Sequence, residues 1–559
     1  MTPKNAIVNK NRLVILQQYP IDGRGVKKLA QAGYAWLEAN RQSVNALNVF
    51  PVPDGDTGTN MVLTMQAAME EIKNSPEQKA GKILEILAQG ALMGARGNSG
   101  VILSQLWRGF ARSVDGKENV DSQDLAKAFV EARDTAYKGV VRPVEGTILT
   151  VAKDMAAAAE AAVKEGADPI TLLERVLKAA DESVQHTPEL LPILKEAGVV
   201  DSGGKGLFFL LEGMMRWVQG QQLHTAESMV QPLAALNLEN SMESIEAGQD
   251  YEVIVDFRPS KPLDLQQFYG DLEKMGTSIQ VGEGEGMYRM HIHVPTEKRY
   301  EPIDYTMTLG TITNVAMENL MAQMDALSQK THGFKLKPVE PGEIAVVAVA
   351  PGAGIARHFA ELGAAAIVEG GQSMNPSTAD ILSSFENLPT DKVIVLPNNK
   401  NIALAAIASA ELTVKKVQVI PSNSVPQGLA AMLRLDPKGD FDQVAEEMTK
   451  ATKQVQTGEV TTATRNVEID GVKVKIGQLI GLHNGKLVTS SADFEKGCLK
   501  LLKKIGLENY EIITLFYGQD VRPEMAEEIA AAIRKAYPRQ EIETHEGGQP
   551  HYQFIFAIE

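Results

Sequence analysis

Two aspartates one residue apart, Asp54 and Asp56, stand in the run Asn48-Val-Phe-Pro-Val-Pro-Asp54-Gly-Asp56-Thr-Gly-Thr59-Asn60. Pro51 and Pro53 stiffen this turn, while Gly55 and Gly58 loosen it. Such a turn can aim both carboxylates at one point, where they repel each other and raise each other's pKa unless a hard cation lies between them. Magnesium suits that place, because it takes one or two carboxylates together with phosphate oxygens. A helix is predicted from about Thr59, so its unpaired N–H groups and positive dipole end face the same loop, and phosphate belongs there. The competing reading makes Asp56 or Thr57 a plain helix cap. The second aspartate, the prolines and the glycines are more than a cap requires. A calcium loop is excluded: counted from Asp54, the glycine position is Thr59 and the closing glutamate position is Met65.

The second constellation is Gly94-Ala-Arg96-Gly97-Asn98-Ser99-Gly100, between predicted helices. Its glycines let backbone amides approach an anion, and Ser99 adds a donor at a helix N-terminus. No Gly-Lys-Ser/Thr follows, so it is not a P-loop, and by itself it is a weak signal that reads better as an ordinary interhelical turn. Two further loops, Arg142-Pro-Val-Glu145-Gly-Thr147 and Asp201-Ser202-Gly203-Gly204-Lys205-Gly206, each precede a predicted helix. Helix starts of this kind, gathered at one end of a helical domain, would make a nucleotide site.

The elements that must position these loops follow from periodicity. Val26, Leu29, Trp36, Leu37, Val44 and Leu47 recur at helical spacing, and similar stripes run through 61–72, 83–93, 101–111, 122–138, 148–164 and 170–184. Residues 1–217 are therefore expected to form an all-α domain. The pattern weakens over 218–245 and then changes: Tyr251–Phe257 and Tyr288–Val294 read as strands around a helix-like run, giving a small α+β domain at 246–332. A linker with Pro338 and Pro341 follows. From 343 to 559, Ile344–Val349, Ala365–Val368, Val393–Leu396 and Val417–Ile420 alternate with helices, the pattern of βαβ units and a mostly parallel sheet. A second α/β subdomain is expected beyond about 455, with strands at 467–469, 472–476, 486–488, 511–516 and 553–558.

Composition narrows the function. With 559 residues, 44% hydrophobic and 23% charged, the chain can build several cores. Its net charge of −16 opposes binding to nucleic acid or anionic lipid. The single cysteine, Cys498, excludes internal disulfides and Cys-rich zinc sites and reads as a buried small hydrophobe. No signal peptide or membrane-spanning run is read, so a cytoplasmic protein is expected.

The runs Asn48 to Asn60, Gly94 to Gly100, Pro143-Val-Glu-Gly-Thr-Ile-Leu-Thr150 and Asp201 to Gly206 resemble the ATP-binding domain shared by the L subunit of dihydroxyacetone kinase and the catalytic A subunit of bacterial fatty acid kinase. The match is closest to the latter. It continues through Glu369-Gly-Gly-Gln-Ser-Met-Asn-Pro-Ser-Thr378, Leu396-Pro-Asn-Asn-Lys-Asn401, Pro426-Gln-Gly428 and Gly547-Gly-Gln-Pro550, covering nearly the whole chain. The resemblance implies an eight-helix barrel holding ATP and two magnesium ions, then a DegV-like C-terminal region. Asp54 and Asp56, with Asn48, would carry the metals. Thr57, Thr59, Asn60, Gly97, Asn98, Ser99, Gly100, Arg142, Asp201 and Gly203 would surround the nucleotide. It also implies a fatty acid presented by a separate DegV-type fatty-acid-binding protein, an acyl phosphate product, and a homodimer through the middle domain. Alternatives are a kinase for dihydroxyacetone or a similar small substrate, and a regulator that keeps an ATP fold without turnover.

His291 and His293 share one face of a strand, a spacing that suits a transition metal but is also ordinary on a surface. The resemblance implies a zinc site from two such histidines and a cysteine; here Glu252 stands where that cysteine is expected, a departure that weakens the site while leaving a competent ligand. Val349-Ala-Pro-Gly352-Ala-Gly354-Ile-Ala-Arg357 has Arg357 in place of the third glycine of a dinucleotide fingerprint, and is not read as a nucleotide site.

Overall fold

Helices α1 (Gly23–Ala39), α2 (Arg41–Leu47), α3 (Thr57–Lys73), α4 (Ala80–Met93), α5 (Gly97–Ser113), α6 (Ser122–Lys138), α7 (Ile148–Lys164), α8 (Pro169–Leu190), α9 (Pro192–Ala197) and α10 (Ser202–Val218) make up the N-terminal region of the computed structural model. Described are residues 21–49, 55–140, 142–221, 231–232, 250–284, 287–319, 336–372, 374–463, 467–469 and 471–559. Asp54 lies outside them, as do most of 218–245 and the start of the second linker.

Several starts have a local cause. Asp22 accepts from Gly25 N–H, Asp121 forms a capping box with Asp124, and Asp168 caps a helix with Pro169 in its first turn. Their apolar stripes, among them Leu37, Met61, Met65, Ile83, Leu87, Val151 and Val184, bury completely or nearly so in one core. At about 25 cal/mol per Å² of apolar surface, that burial is the main force holding the helices together. Neighbours in sequence pack in turn, α3 on α4, α4 on α5, α5 on α6, α6 on α7 and α7 on α8; α10 packs on α8 and α1, and α1 on α3 and α4 closes the ring.

The expected eight helices become ten among the described residues. Eight have 14 to 22 residues, and the two extra, α2 and α9, have 7 and 6. Asn40 (φ −104°, ψ 9°) breaks the first stripe into α1 and α2. Pro192 forces Leu191 into extended backbone (φ −123°, ψ 103°), which separates α9 from α8.

Residues 222–333 form a compact unit of their own. Its five strands, β1 (Gln231–Pro232), β2 (Tyr251–Pro259), β3 (Thr277–Gly284), β4 (Met287–Val294) and β5 (Gly310–Asn319), lie in the order β1-β3-β4-β2-β5. Strand alternation sends Val253, Val255, Phe257, Met290 and Ile292 into a core with Phe268 and Leu272 of helix α11 (Leu265–Leu272). Helix α12 (Glu301–Leu309) precedes β5.

The C-terminal region opens with the strands β6 (Ile344–Ala350), β7 (Ala366–Glu369), β8 (Lys392–Leu396) and β9 (Lys416–Val419), all parallel, in the order β7-β6-β8-β9. Between and after them run α13 (Ala353–Glu361), α14 (Thr378–Glu386), α15 (Ala403–Ala410), α16 (Val425–Met432) and α17 (Phe441–Ala451). A six-stranded mixed sheet follows, with strands at 456–462, 479–483, 486–491, 512–517, 541–546 and 552–558. Gly352 and Gly354 explain their own motif here. A Cβ on either would strike the backbone of Glu546 to Gln549, so these glycines let α13 lie against the second sheet.

Residues 1–221 and 334–559 form one compact unit. Ala95 and Val101, flanking the start of α5, are buried in the same cluster as Val347, Val349, Ile381 and Val395. The apolar core of the parallel sheet thus extends onto the N-terminal helices.

Candidate functional site

A cavity of about 250 Å³ lies where α3, α5, α7 and α10 begin. Its walls include Asp56, Thr57 and Asn60 from the first start, Asn98 and Ser99 from the second, Thr147 and Ile148 from the third, and Asp201, Ser202 and Gly203 from the fourth. Asn48 and Arg142 complete the wall on the side of the N-terminal region. Helix starts carry unpaired N–H groups and partial positive charge, so their convergence favours an anion.

Asn48 is buried, and its Oδ1 accepts from Gly55 N–H at 2.6 Å and from Asp56 N–H at 3.3 Å. Those two bonds occupy both lone pairs of the oxygen, so Asn48 shapes the acidic turn from within. Gly55 has φ +72°, which is why glycine stands between the two aspartates. Asp56 is 8% exposed.

Asp201 is more deeply enclosed, at 5% exposure. Its carboxylate accepts from Gly204 N–H at 2.7 Å, and its own N–H donates to Thr187 Oγ1 at 3.0 Å. Burial pushes its pKa up to about 6, against the opposing pull of the Gly204 and Ile148 amides. Ser202 Oγ donates to Thr57 Oγ1 at 3.1 Å, tying the first helix start to the fourth. The third loop is held by Glu145, whose carboxylate accepts from Thr150 Oγ1, Lys153 Nζ and Tyr137 Oη at 2.7, 2.7 and 3.0 Å.

Three of the expected nucleotide residues, Thr59, Gly97 and Gly100, are not among those that line the cavity. Thr59 exchanges hydrogen bonds with Asn45, its N–H and Oγ1 each 3.1 Å from the carboxamide. Gly97 (φ +58°) and Gly100 lie against Asn60 and Thr64, where a Cβ would collide with those side chains. These glycines set the approach of α5 to α3. Asn60, Asn98, Ser99, Arg142, Asp201, Gly203 and Thr57 all line the cavity.

The C-terminal region reaches this cavity too. Asn401 and Leu404 line it, and Asn98 Nδ2 donates to Asn401 Oδ1 at 3.4 Å. Asn375 Nδ2 donates to Asp56 Oδ2 at 2.6 Å.

In the middle unit, Glu252, His291 and His293 are buried, with one ligand atom of each within 4.8 Å of the others. Glu252 on β2 pairs directly with His293 on β4, and His291 is two residues away on the same face. His291 Nε2 lies 2.6 Å from Glu252 Oε1. Both ring nitrogens of His293 are buried without a hydrogen-bond partner, and burial lowers its pKa to about 4. A neutral imidazole with orphaned nitrogens beside a carboxylate and a second imidazole is a donor set that fits Zn²⁺.

Three family models match this chain in succession: the DAK2 domain over 51–216, the fatty acid kinase A-subunit-like middle domain over 247–327, and the C-terminal domain of the same family over 345–559. An uncharacterized protein of Staphylococcus haemolyticus is 38% identical over 550 residues, spanning 96% of this chain and 99% of its own length. One from Staphylococcus aureus strain USA300 is 38% identical over 547 residues, with the same coverage of 96% and 99%. The chain belongs to the fatty acid kinase A-subunit-like family. Its N-terminal region is a kinase-type domain. Solved structures with partial likeness include a fatty-acid-binding DegV family protein of Thermus thermophilus (13% identity, 39% of this chain and 99% of that one, TM-score 0.29). The fatty acid kinase B3 protein of Streptococcus pneumoniae, loaded with linoleic acid, matches at 14% identity over 33% and 76%, TM-score 0.26. The dihydroxyacetone kinase of C. freundii matches at 19% over 34% of each chain, TM-score 0.26.

Asn375, Asn401 and Leu404 are site residues that sequence reasoning passed over. Asn375 and Asn401 sit in the very runs, Glu369 to Thr378 and Leu396 to Asn401, that carry the resemblance. Their conspicuous polar character was the available signal. No helix among the described residues is long and apolar enough to cross a membrane. Cys498 is fully buried, and burial raises its thiol to about 12, so it is inert packing.

Proposed function

We propose that this chain is the ATP-using component of a fatty acid kinase: it transfers the γ-phosphoryl group of ATP to the carboxylate of a fatty acid presented by a separate DegV-type protein. A carboxylate oxygen forms the new bond to phosphorus, the bond to the bridging oxygen breaks, and ADP leaves with that electron pair. The products are an acyl phosphate and ADP. The observation that carries the reading is the convergence of four helix starts and two buried aspartates on one cavity. Helix N–H groups and Ser99 bind and orient the phosphates, and the buried setting strengthens each of those contacts. The acceptor is already ionised at neutral pH, so the step requires no general base.

The donors at this site are hard oxygens, from the Asp56 carboxylate and the Thr57, Ser99 and Ser202 hydroxyls, which fits magnesium. Bound there, Mg²⁺ neutralises phosphate charge during transfer. Asp56 holds it in this reading, with Asp54 as the second carboxylate of a two-ion site. Zn²⁺ is assigned to Glu252, His291 and His293, with a structural role in a middle domain through which the chain dimerises. A cytoplasmic setting, where ATP and acyl-loaded partner meet, belongs to the same reading.

The test is incubation of the full chain with labelled ATP and Mg²⁺, with and without an acyl-loaded DegV-type protein, and separately with dihydroxyacetone. Label in acyl phosphate only when the loaded protein is present supports the proposal. Label on dihydroxyacetone transfers the assignment to a small-molecule kinase, and no transfer to either acceptor leaves a nucleotide-binding regulator.

A further inference from the structure

The loop between β7 and α14 touches Asp56 across a sequence separation of 319 residues. We propose, resting on the kinase reading of the cavity, that Asn375 is a positioning residue for phosphoryl transfer and that the C-terminal region thereby completes the kinase site. A carboxylate whose Oδ2 is tethered at 2.6 Å by an amide N–H can no longer swing away from the cation it is to hold. The cost of orienting it is met before the ligand arrives.

Asn375 is itself fixed from several sides. Its backbone carbonyl oxygen accepts from Arg96 Nη1 at 2.9 Å, and Arg96 Nη2 also lies 3.5 Å from Asp380 Oδ2. Further along the loop, Thr378 N–H donates to Ala95 O at 3.1 Å. Ser377 and Asp380 close a capping box at the start of α14, so the loop ends in a rigid helix entry. Arg96 belongs to the Gly94–Gly100 run, so one kinase loop both lines the cavity through Asn98 and Ser99 and grips the residue that holds Asp56.

Stability alone does not account for this side chain. Asn375 is 3% exposed, and its Oδ1 is buried with no hydrogen-bond partner. Such an atom costs about 1–3 kcal/mol. An apolar residue of the same shape would avoid that cost, so the amide is explained by what its N–H does to Asp56. Asn401 and Leu404, which line the same cavity from the same region, place the contribution at the site rather than at a remote interface.

The experiment uses the full chain and its Asn375→Leu and Asn375→Ala variants, with Mn²⁺ as the probe. Free Mn²⁺ is followed by electron paramagnetic resonance during titration in the presence of ADP, and melting temperatures establish that each protein is folded. Leucine fills the volume of asparagine without its N–H. Both variants are expected to bind Mn²⁺ about tenfold or more weakly, and with an acyl-loaded partner to lose kcat while the KM for ATP changes little. Wild-type Mn²⁺ affinity in Asn375→Leu overturns the proposal and reduces Asn375 to packing, whatever the alanine variant does. Absence of saturable Mn²⁺ and ADP binding in the wild-type protein would instead overturn the kinase reading of the cavity itself.

Discussion

The cavity at the helix starts and the Glu252–His291–His293 cluster are two ways of arranging polar groups inside one chain. The cluster draws on two neighbouring strands, and sheet register alone brings its ligand atoms within 4.8 Å. The cavity draws on four helix starts and, through Asn375, Asn401 and Leu404, on the C-terminal region, whose Asn375 and Asn401 bond to Asp56 and Asn98 across 319 and 303 residues. Register is a local rule, so the cluster is robust to changes elsewhere. The cavity is only as well formed as the packing of Ala95 and Val101 against the parallel sheet. The contrast teaches that a closed, fully buried donor set suits a resident structural ion, whereas a polar cavity lined by helix starts suits a ligand that comes and goes.

The largest expected effect sharpens that contrast at the cavity. Asp56→Ala removes a buried carboxylate at a helix start and is expected to lower phosphoryl transfer roughly a thousandfold, a loss of about 4 kcal/mol in transition-state stabilisation. Zinc content, measured on the same preparation, is expected to stay at the wild-type level. Turnover within a few-fold of wild type would remove Asp56 from the machinery.

Next comes the pH dependence of Asp201. Its folded pKa of about 6 exceeds the ordinary 3.8, so the native state binds more protons between those values. Stability therefore falls as pH rises from about 4 to 6 and levels off above, for a total of roughly 3 kcal/mol. Asn caps a helix as well as Asp does. Asp201→Asn is thus expected to flatten the melting temperature between pH 4.5 and 7 while weakening nucleotide binding. A melting temperature that rises over that range in the wild-type protein would contradict the sign.

At the cluster, His293→Ala is expected to weaken zinc retention roughly a hundredfold or more, since even residues behind a metal's ligands contribute 10- to 100-fold. Metal analysis after dialysis against a chelator reads this directly. Equal zinc content in wild type and variant, or none in either, would break the comparison at this end. The smallest effect is expected for Ser202→Ala, which loses one hydrogen bond to Thr57 and about 1 kcal/mol. Melting temperature and ADP affinity would register it, and no change in either would show that the two helix starts are held by packing alone.

Legibility followed the range of the physics involved. Capping residues and apolar stripes act over a few residues, so the spans 122–138 and 148–164 are visible in sequence to the residue. Strands 277–284 and 310–319 escaped because their sequences, TSIQVGEG and GTITNVAMEN, do not alternate cleanly, and pairing with β4 and β2 makes them strands. The glycines at 97 and 100 show the same limit. Sequence marks them as small residues near a helix start, and only the packing of α5 on α3 decides that they serve close approach.

What the sequence by itself determined was the chemistry on offer: an acidic, stiffened turn, helix starts bearing small and polar residues, and two histidines sharing a strand face. Those are properties of residue type and spacing, and they need no knowledge of the rest of the chain. Tertiary structure decided which groups meet. It turned Thr59 toward Asn45, bonded Asn48 to the backbone of Gly55 and Asp56, and carried Asn375 to Asp56. The reason is that hydrogen bonds and packing between distant segments are fixed by how whole cores fit together, and no local rule encodes that fit.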